Sequence, residues 1–287
     1  MFMTNPFDAL SALSITPEMM QMYIILMAVL VAGGTMLDMM HKKSAKYFFL
    51  DSAKNAKNAK RTVSTGEKAG IAIATIASEV ITSSEFCSTK RRISHLLTMY
   101  GFITFVATSA LMIFGCDTIA TETLAQFWHI GAIMLCLGGY WFWFFIRVDV
   151  NSEGVKWYQL RRADIFIVSL FTTATFALIW SYLQSKGMNG TVADMGLTTL
   201  FFGLFILSNT TLFASVLWSK FAHMFFKPAA AFQKRVAHAD GGSLNLPGDF
   251  DLSSTEVQTK FPDIPEYMGK NPVNMGAGIR REAPNHY

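Results

Sequence analysis

The chain has 287 residues, of which 52% are hydrophobic and 15% charged, and its formal net charge is +4. The apolar residues form blocks of about twenty, which excludes an ordinary soluble domain and indicates an integral membrane protein. The small positive charge does not indicate nucleic-acid binding, because the basic residues flank these blocks, where they contact lipid headgroups. The three cysteines form no CxxC or CxxCH motif, which excludes a covalently attached haem.

Five apolar segments are predicted to cross the bilayer as helices, because lipid offers the backbone no other hydrogen-bond partner. At about 1.5 Å per residue, each can cross a hydrocarbon core about 30 Å thick. The first lacks the basic flank and cleavage motif of a signal peptide, so we expect it to be retained. The approximate limits of the spans are 19–37, 96–115, 128–146, 165–183 and 196–218. The predicted fold is therefore an all-α, five-transmembrane-helix bundle.

The distribution of basic residues predicts the orientation of this bundle. All Lys and Arg residues except Lys186 lie in the loops 38–94 and 147–164 or after position 219. Lys and Arg are retained on the cytoplasmic side of a membrane. The N-terminus is therefore predicted to lie outside and the C-terminus in the cytoplasm.

The segments outside the spans complete the predicted organisation. Residues 1–37 contain the N-terminal segment and the first span. Residues 38–94 form a basic cytoplasmic loop in which 69–81, too short to span, is expected to form a helix at the interface or packed on the bundle. Residues 95–226 contain the other four spans. Residues 227–287 form a cytoplasmic tail that is expected to be extended from about position 238 and to order on a partner.

Three histidines lie at predicted span ends, and the topology places two of them at one depth. His95 begins the second span and His223 follows the fifth, so both lie near the cytoplasmic face. His129 begins the third span near the outer face, about 30 Å from that level. Two imidazoles from different helices can bind the two faces of a b-type haem iron. His95 and His223 are therefore the candidate axial ligands.

The same rim carries Arg91, Arg92 and Lys220, cations of the kind that haem propionates need as partners. The alternative is that His95 and His223 are interfacial residues that hydrogen-bond water or lipid headgroups. Any two histidines at span ends on one side satisfy the depth requirement, so spacing alone does not decide between the two.

Two motifs resemble those of membrane cytochromes b that include the gamma subunit of respiratory nitrate reductase. They are RRISHLLTMYGF, followed by the TS pair at 108–109, and SKFAH, followed by Pro228. The resemblance implies a five-helix bundle whose second and fifth helices supply the histidines of two stacked b haems. The fifth-helix partner of His223 would lie 18 residues earlier, where this chain has Phe205, and Gly115 stands where some relatives have a further outer histidine. The resemblance therefore implies an inner haem without an outer one.

The whole layout also resembles the membrane anchor subunit of adenylylsulfate reductase from sulfur-oxidising bacteria. The similar stretches are EFCSTKRRISHLL at the start of the second span and MGAGIRREAPNHY at the end of the chain. This resemblance implies a multi-pass protein of the bacterial cytoplasmic membrane. A soluble flavin and iron–sulfur reductase would dock on its cytoplasmic face, oxidise sulfite together with AMP, and pass electrons through this subunit to quinone.

The leading hypothesis is thus a membrane anchor and electron-transfer subunit with one b haem on the cytoplasmic side. A haem-free anchor that only docks a soluble enzyme is the alternative. A transporter is disfavoured because the spans contain almost no ionisable groups near their centres. The sequence leaves open whether the subunit itself reduces quinone.

Overall fold

The computed structural model describes most of the chain up to residue 242 and short pieces beyond it. The described residues are 4–242 without 43, 85, 87, 116–117, 151–152, 187–191 and 218–222, together with 254–260, 274–275 and 279–280. In these ranges the chain is almost entirely helical. The α-helices are α1 (Pro17–Lys42), α2 (Ser44–Lys57), α3 (Thr65–Thr75), α4 (Thr89–Phe114), α5 (Thr121–Trp141), α6 (Ile165–Ser185), α7 (Val192–Ala214), α8 (His223–Ala239) and α9 (Thr255–Lys260).

Short turns of other helix types extend these elements. Turns of 3-10 helix lie at Asp8–Leu13, Arg162–Asp164 and Ser215–Leu217, and π-helical turns lie at Ile76–Ile81 and Phe142–Ile146. The only strands in the described ranges are β1 (Asn274–Met275) and β2 (Ile279–Arg280), which pair antiparallel.

Five helices are long and apolar enough to cross a membrane, which confirms the five predicted spans. Their apolar stretches are Pro17–His41, Thr89–Phe114, Thr121–Ile146, Arg162–Ser185 and Gly196–Ala214. The second begins earlier than predicted because basic residues, which are good helix formers, continue the helix beyond the apolar segment. The direction of crossing stays a prediction from the charges. We call the end of the bundle where α4 begins and α7 ends the basic end.

Glycines bring α4 and α5 into the closest contact in the bundle. A Cβ atom added at Gly131 would lie 2.8 Å from the backbone nitrogen of Phe105, and one at Gly138 would lie 2.8 Å from the Ser94 carbonyl oxygen. Ser94 Oγ also donates a hydrogen bond to the Gly138 carbonyl at 2.9 Å. Small residues at these positions let the two backbones touch, which is a main source of helix association in lipid.

The first helix joins the two halves of the bundle, while α6 packs between α5 and α7. Gln21 Nε2 of α1 donates to the Ile113 carbonyl of α4 at 3.1 Å. The Tyr23 hydroxyl donates to the Ile206 carbonyl of α7 at 3.3 Å and lies 3.0 Å from Thr210 Oγ1. These polar contacts fix α1 against both α4 and α7.

One buried arginine organises the loop between α5 and α6. Arg147 is fully buried, and its guanidinium forms an ion pair with Asp164. It also donates to the carbonyls of Lys156, at 3.0 Å, and of Gln159, and it lies 4.1 Å above the centre of the Trp143 ring. The charge pattern of the sequence indicates only that Arg147 is one of the basic residues of this loop. Its burial explains why the loop folds back onto the end of α5.

Three further helices form a layer at the basic end, which we call the cap: α2, α3 with its π-helical turn, and α8. Arg235 of α8 pairs with Glu79 of the π-helical turn at 2.6 Å. Arg61 Nε donates to the Ala239 carbonyl at 2.7 Å. The hydrogen bond from Arg61 also holds the pKa of the exposed Glu67 carboxyl below its usual value. The stretch expected at 69–81 is thus helical and packs on α8, and the tail is helical up to Ala239.

We predict that Gly131→Ala destabilises the bundle whereas Gly203→Ala does not. The methyl group at position 131 would press on the α4 backbone, and overpacking of this kind costs about 1–3 kcal/mol. Nothing lies within 4 Å of a Cβ added at Gly203, in the middle of α7. Thermal unfolding of the two variants in detergent measures the difference. Equal Tm values would contradict a close α4–α5 contact.

We also predict that Arg147→Ala lowers the free energy of unfolding by about 3–5 kcal/mol, because Asp164 would keep a buried charge without its partner. Arg162→Ala removes an exposed cation from the same loop and should change stability by at most about 0.5 kcal/mol. Thermal unfolding monitored by circular dichroism compares them. A Tm loss of the same small size in both variants would show that the buried ion pair does not stabilise the loop.

Candidate functional site

His95 lies near the start of α4 and is held by the turn that precedes this helix. Its Nδ1 atom lies 3.0 Å from Ser83 Oγ, and its ring centroid lies 4.9 Å from that of Phe86. Ser83 is fully buried and has a φ of 46°, a backbone conformation that residues other than glycine rarely adopt. Arg92 Nε donates to the Thr82 carbonyl at 2.7 Å and thereby fastens the turn to α4. The position of the imidazole is therefore determined by the fold.

The contact with Ser83 fits an axial haem ligand. A histidine that binds iron through Nε2 carries its proton on Nδ1 and usually donates it to a protein acceptor, which fixes the tautomer and the ring orientation. Ser83 Oγ lies where such an acceptor is needed. The contact of His95 Nδ1 with Ser83 is therefore compatible with the predicted role, which stays a prediction.

His223 is the first residue of α8, and its side chain lies outside the described part of the structure. The beginning of α8 nevertheless comes close to His95. Lys227, four residues after His223, places its Nζ atom 5.5 Å from the centre of the Phe86 ring, which contacts His95. Phe226 packs against the core of the bundle. The structure therefore brings the start of α8 to the side of the bundle where His95 lies.

The α-helix of the fifth span ends at Ala214, and a 3-10 turn continues to Leu217. Residues 218–222 lie outside the described part of the chain, and α8 is described from His223. The membrane cytochromes b that the motifs resemble carry both fifth-helix ligands on one helix. In this chain Phe205, the position equivalent to the outer ligand, lies on α7, and the 3-10 turn lies between it and His223.

The predicted propionate partners already have protein partners where they are described. Arg91 lies 3.8 Å from Glu153, and Arg92 binds the Thr82 carbonyl. Lys220 lies outside the described residues. Their role toward a haem stays a prediction.

The half of the bundle away from the basic end is filled by aromatic side chains, which we call the aromatic cluster. The Trp180 and Phe205 rings stack at 5.7 Å, Phe105 lies 5.0 Å from Trp128, and Phe7 of the N-terminal segment lies 5.6 Å from Trp180. Except for Phe7, which is half-buried, each member is at most 7% exposed. The members of the cluster are Phe7, Phe105, Trp128, Trp180, Phe202 and Phe205. The position of an outer haem ligand is thus part of a packed core.

His129 lies beside this cluster, and hydrogen bonds account for its burial. Its Nδ1 atom lies 2.7 Å from the Ala125 carbonyl oxygen, and its Nε2 atom lies 2.8 Å from Ser181 Oγ. The side chain is fully buried and links α5 to α6. Both ring nitrogens thus have protein partners, which is typical of a structural histidine.

Sequence reasoning did not single out Ser83 and Phe86. They lie in TSSEF, between the apolar stretch of α3 and the start of α4; Phe86 also belongs to the quoted EFCSTKRRISHLL stretch, which assigns it no role. Their contacts with His95 depend on the turn at Ser83, whose backbone conformation no local pattern indicates. No set of three or more His, Cys, Asp or Glu side chains able to bind a metal occurs within the described residues, but an axial haem site requires only one ligand from each helix.

The fold defines the class of the protein: an all-helical chain with five helices able to span a membrane, which is consistent with a multi-pass membrane protein. Comparison with protein-family models, curated proteins and solved structures finds no match to this chain. A more specific function therefore rests on the two sequence motifs and on the geometry around His95.

Proposed function

We propose that this protein is the membrane anchor and electron-transfer subunit of a cytoplasmic adenylylsulfate reductase, and that it links sulfite oxidation to the quinone pool through one b-type haem. The observation that carries the proposal is the fixed position of His95, oriented by buried Ser83 and lying close to the start of α8. In this proposal the bundle crosses the bacterial cytoplasmic membrane, with the basic end and the cap in the cytoplasm.

His95 and His223 would hold the haem, and other residues of the chain would define its surroundings. A bound b haem supplies one-electron transfer. Ser83 fixes the His95 ring through Nδ1, and Phe86 covers one side of that ring. Lys227, whose ammonium group lies against Phe86, adds positive charge at the rim. The protein contributes orientation, burial and electrostatics, while the redox chemistry belongs to the cofactor and to quinone.

The aromatic cluster supports one haem rather than two. Phe205 occupies the place of the second fifth-helix ligand and stacks on Trp180 within the core. Without an outer haem, an electron path across the whole bilayer has no intermediate carrier. Electrons would therefore enter and leave at the basic end, and quinone would be reduced near the cytoplasmic surface.

The cap supports docking of a soluble partner. The Arg235–Glu79 ion pair and the hydrogen bond from Lys60 N to the Asp240 carbonyl, at 2.8 Å, fix the end of α8. The chain is thus held on the cap up to Gly242. Most of 243–287 lies outside the described residues, and we propose that this segment orders on the reductase.

A haem-free anchor is the second candidate, and the partners of Arg91 and Arg92 favour it. Both side chains, predicted to bind haem propionates, already contact Glu153 and the Thr82 carbonyl, so neither needs a cofactor as a partner. In that case Ser83 and His95 would serve only to attach the cap to α4.

We predict about one b haem per chain, and we expect its loss in His95→Ala and in His223→Ala. His129→Ala should retain it, because that side chain is bound to Ala125 and Ser181. Reduced-minus-oxidised absorption spectra and pyridine haemochrome quantitation of the purified variants measure haem content. His238→Ala, an exposed histidine of the same helix α8, is the control for His223→Ala.

If wild-type protein purified from cells with ample haem contained no haem, the haem-free anchor would be the function that is supported. Two haems per chain would show that the presence of Phe205 does not indicate the loss of the outer haem site. Equal haem loss in the His95, His223 and His129 variants would show that unfolding, rather than ligand removal, expels the cofactor.

We predict that deletion of 243–287 releases the reductase and leaves the Tm of the membrane protein unchanged. The truncated chain keeps Asp240, whose carbonyl accepts hydrogen bonds from Lys60 and Arg61, so the cap stays closed. Co-purification of adenylylsulfate reductase with tagged full-length and truncated protein measures docking. A deletion that starts at Asp240 is the comparison, and it should also lower Tm. Undiminished co-purification after removal of 243–287 would exclude the tail as the docking element.

A further inference from the structure

Helix α2 presents two opposite faces, and only one of them packs on the protein. Asn55 is buried, and Gln233 of α8 contacts both the Phe48 carbonyl oxygen and Asp51 Oδ2 at 3.4 Å. Asn55 Nδ2 also donates to Asp51 Oδ2 at 3.2 Å, so the only acid of this helix takes part in the α8 contact. The inner face of α2 is therefore the side turned to α8.

The other face carries lysines and large apolar side chains together. At about 100° per residue, positions 46, 49, 50, 54 and 57 fall within an arc of about 140°. Phe49 and Leu50 are 68% and 55% exposed, and Lys46, Lys54 and Lys57 are exposed as well. No acidic residue lies on this arc. We call these five residues the α2 face.

The α2 face begins at the surface of the membrane. The apolar stretch of α1 ends at His41, and α2 is described from Ser44. Only a few residues separate the two positions, so the first residues of α2 lie near the level of the lipid headgroups. Large apolar side chains exposed at that level reach the boundary between headgroups and acyl chains, while lysines beside them reach the phosphates.

We infer that the α2 face binds the anionic phospholipid of the leaflet at the basic end. Phe49 and Leu50 enter the acyl-chain boundary, and Lys46, Lys54 and Lys57 bind headgroup phosphates. Continuity with α1 and the purely positive charge of the arc favour lipid over a soluble protein as the occupant. The inference is independent of the haem and of the reductase, because none of the five residues contacts the surroundings of His95 described above.

Lipid binding to the purified protein in detergent tests the inference. Native mass spectrometry with phosphatidylglycerol and with phosphatidylcholine of the same acyl chains should show roughly tenfold tighter binding of the anionic lipid. The triple variant Lys46→Gln/Lys54→Gln/Lys57→Gln should lose most of this preference, since each lysine near the surface contributes to it. Higher salt should weaken it too.

A second triple variant controls for net charge. Lys68→Gln/Lys234→Gln/Lys260→Gln removes the same charge from α3, α8 and α9 and should keep the preference for phosphatidylglycerol. An unchanged preference in the α2 variant would overturn the inference. An equal loss in both triple variants would overturn it as well, because total charge rather than the α2 face would then explain the binding.

A spin label locates the same face relative to the bilayer. In a chain with Cys87, Cys116 and Cys136 replaced by Ala, a nitroxide at Leu50→Cys should be relaxed by oxygen, which dissolves in lipid, in phosphatidylglycerol nanodiscs. The control at Thr62→Cys, an exposed position in the loop after α2, should be relaxed by a water-soluble nickel chelate. A label at position 50 that reports water would overturn the inference. Shielding of that label from both reagents would also overturn it, because a second copy or a partner protein would then cover the face.

Discussion

Water is absent from the hydrocarbon core of a membrane, and this constraint explains how the polar side chains of the bundle are used. Hydroxyl groups inside the helices donate to the carbonyl oxygen four residues earlier, at 2.7 Å for Thr108 and Thr173 and 2.6 Å for Ser169. His129 binds an acceptor or donor at each ring nitrogen. These polar residues therefore satisfy each other or the backbone, as a medium without water requires, whereas Thr35 Oγ1 and Trp180 Nε1 are buried without a hydrogen-bond partner among the described residues.

The same constraint divides the bundle into two ends with different chemistry. Away from the basic end, Phe7 of the N-terminal segment packs against the rest of the aromatic cluster. This half of the bundle is a core of mainly apolar side chains. At the basic end, Arg147 and the turn at Ser83 place charged and hydrogen-bonding groups next to helix ends. The proposed site therefore lies on the side that the charges assign to the cytoplasm.

The sequence predicted the five spans well because apolar blocks of membrane length leave the backbone no alternative to a helix. It placed His95 at the start of the second span, whereas the helix begins at Thr89 and His95 lies in its second turn. It could not predict the contacts that depend on tertiary packing. Burial of Arg147 requires the return of the loop to Asp164, and the glycine contact of α4 with α5 requires their relative rotation.

Helix α8 connects the candidate site to the cap. Arg235 of α8 binds Ser78 and Glu79 of the π-helical turn, and the same turn leads directly into Ser83, which holds His95. Lys227 in the first part of α8 contacts Phe86, which in turn contacts the His95 ring. A displacement of α8 would therefore act on both positions proposed to hold the haem. Within the proposed function, a reductase bound to the cap would contact the helix that positions the cofactor, and docking and electron transfer would depend on the same element.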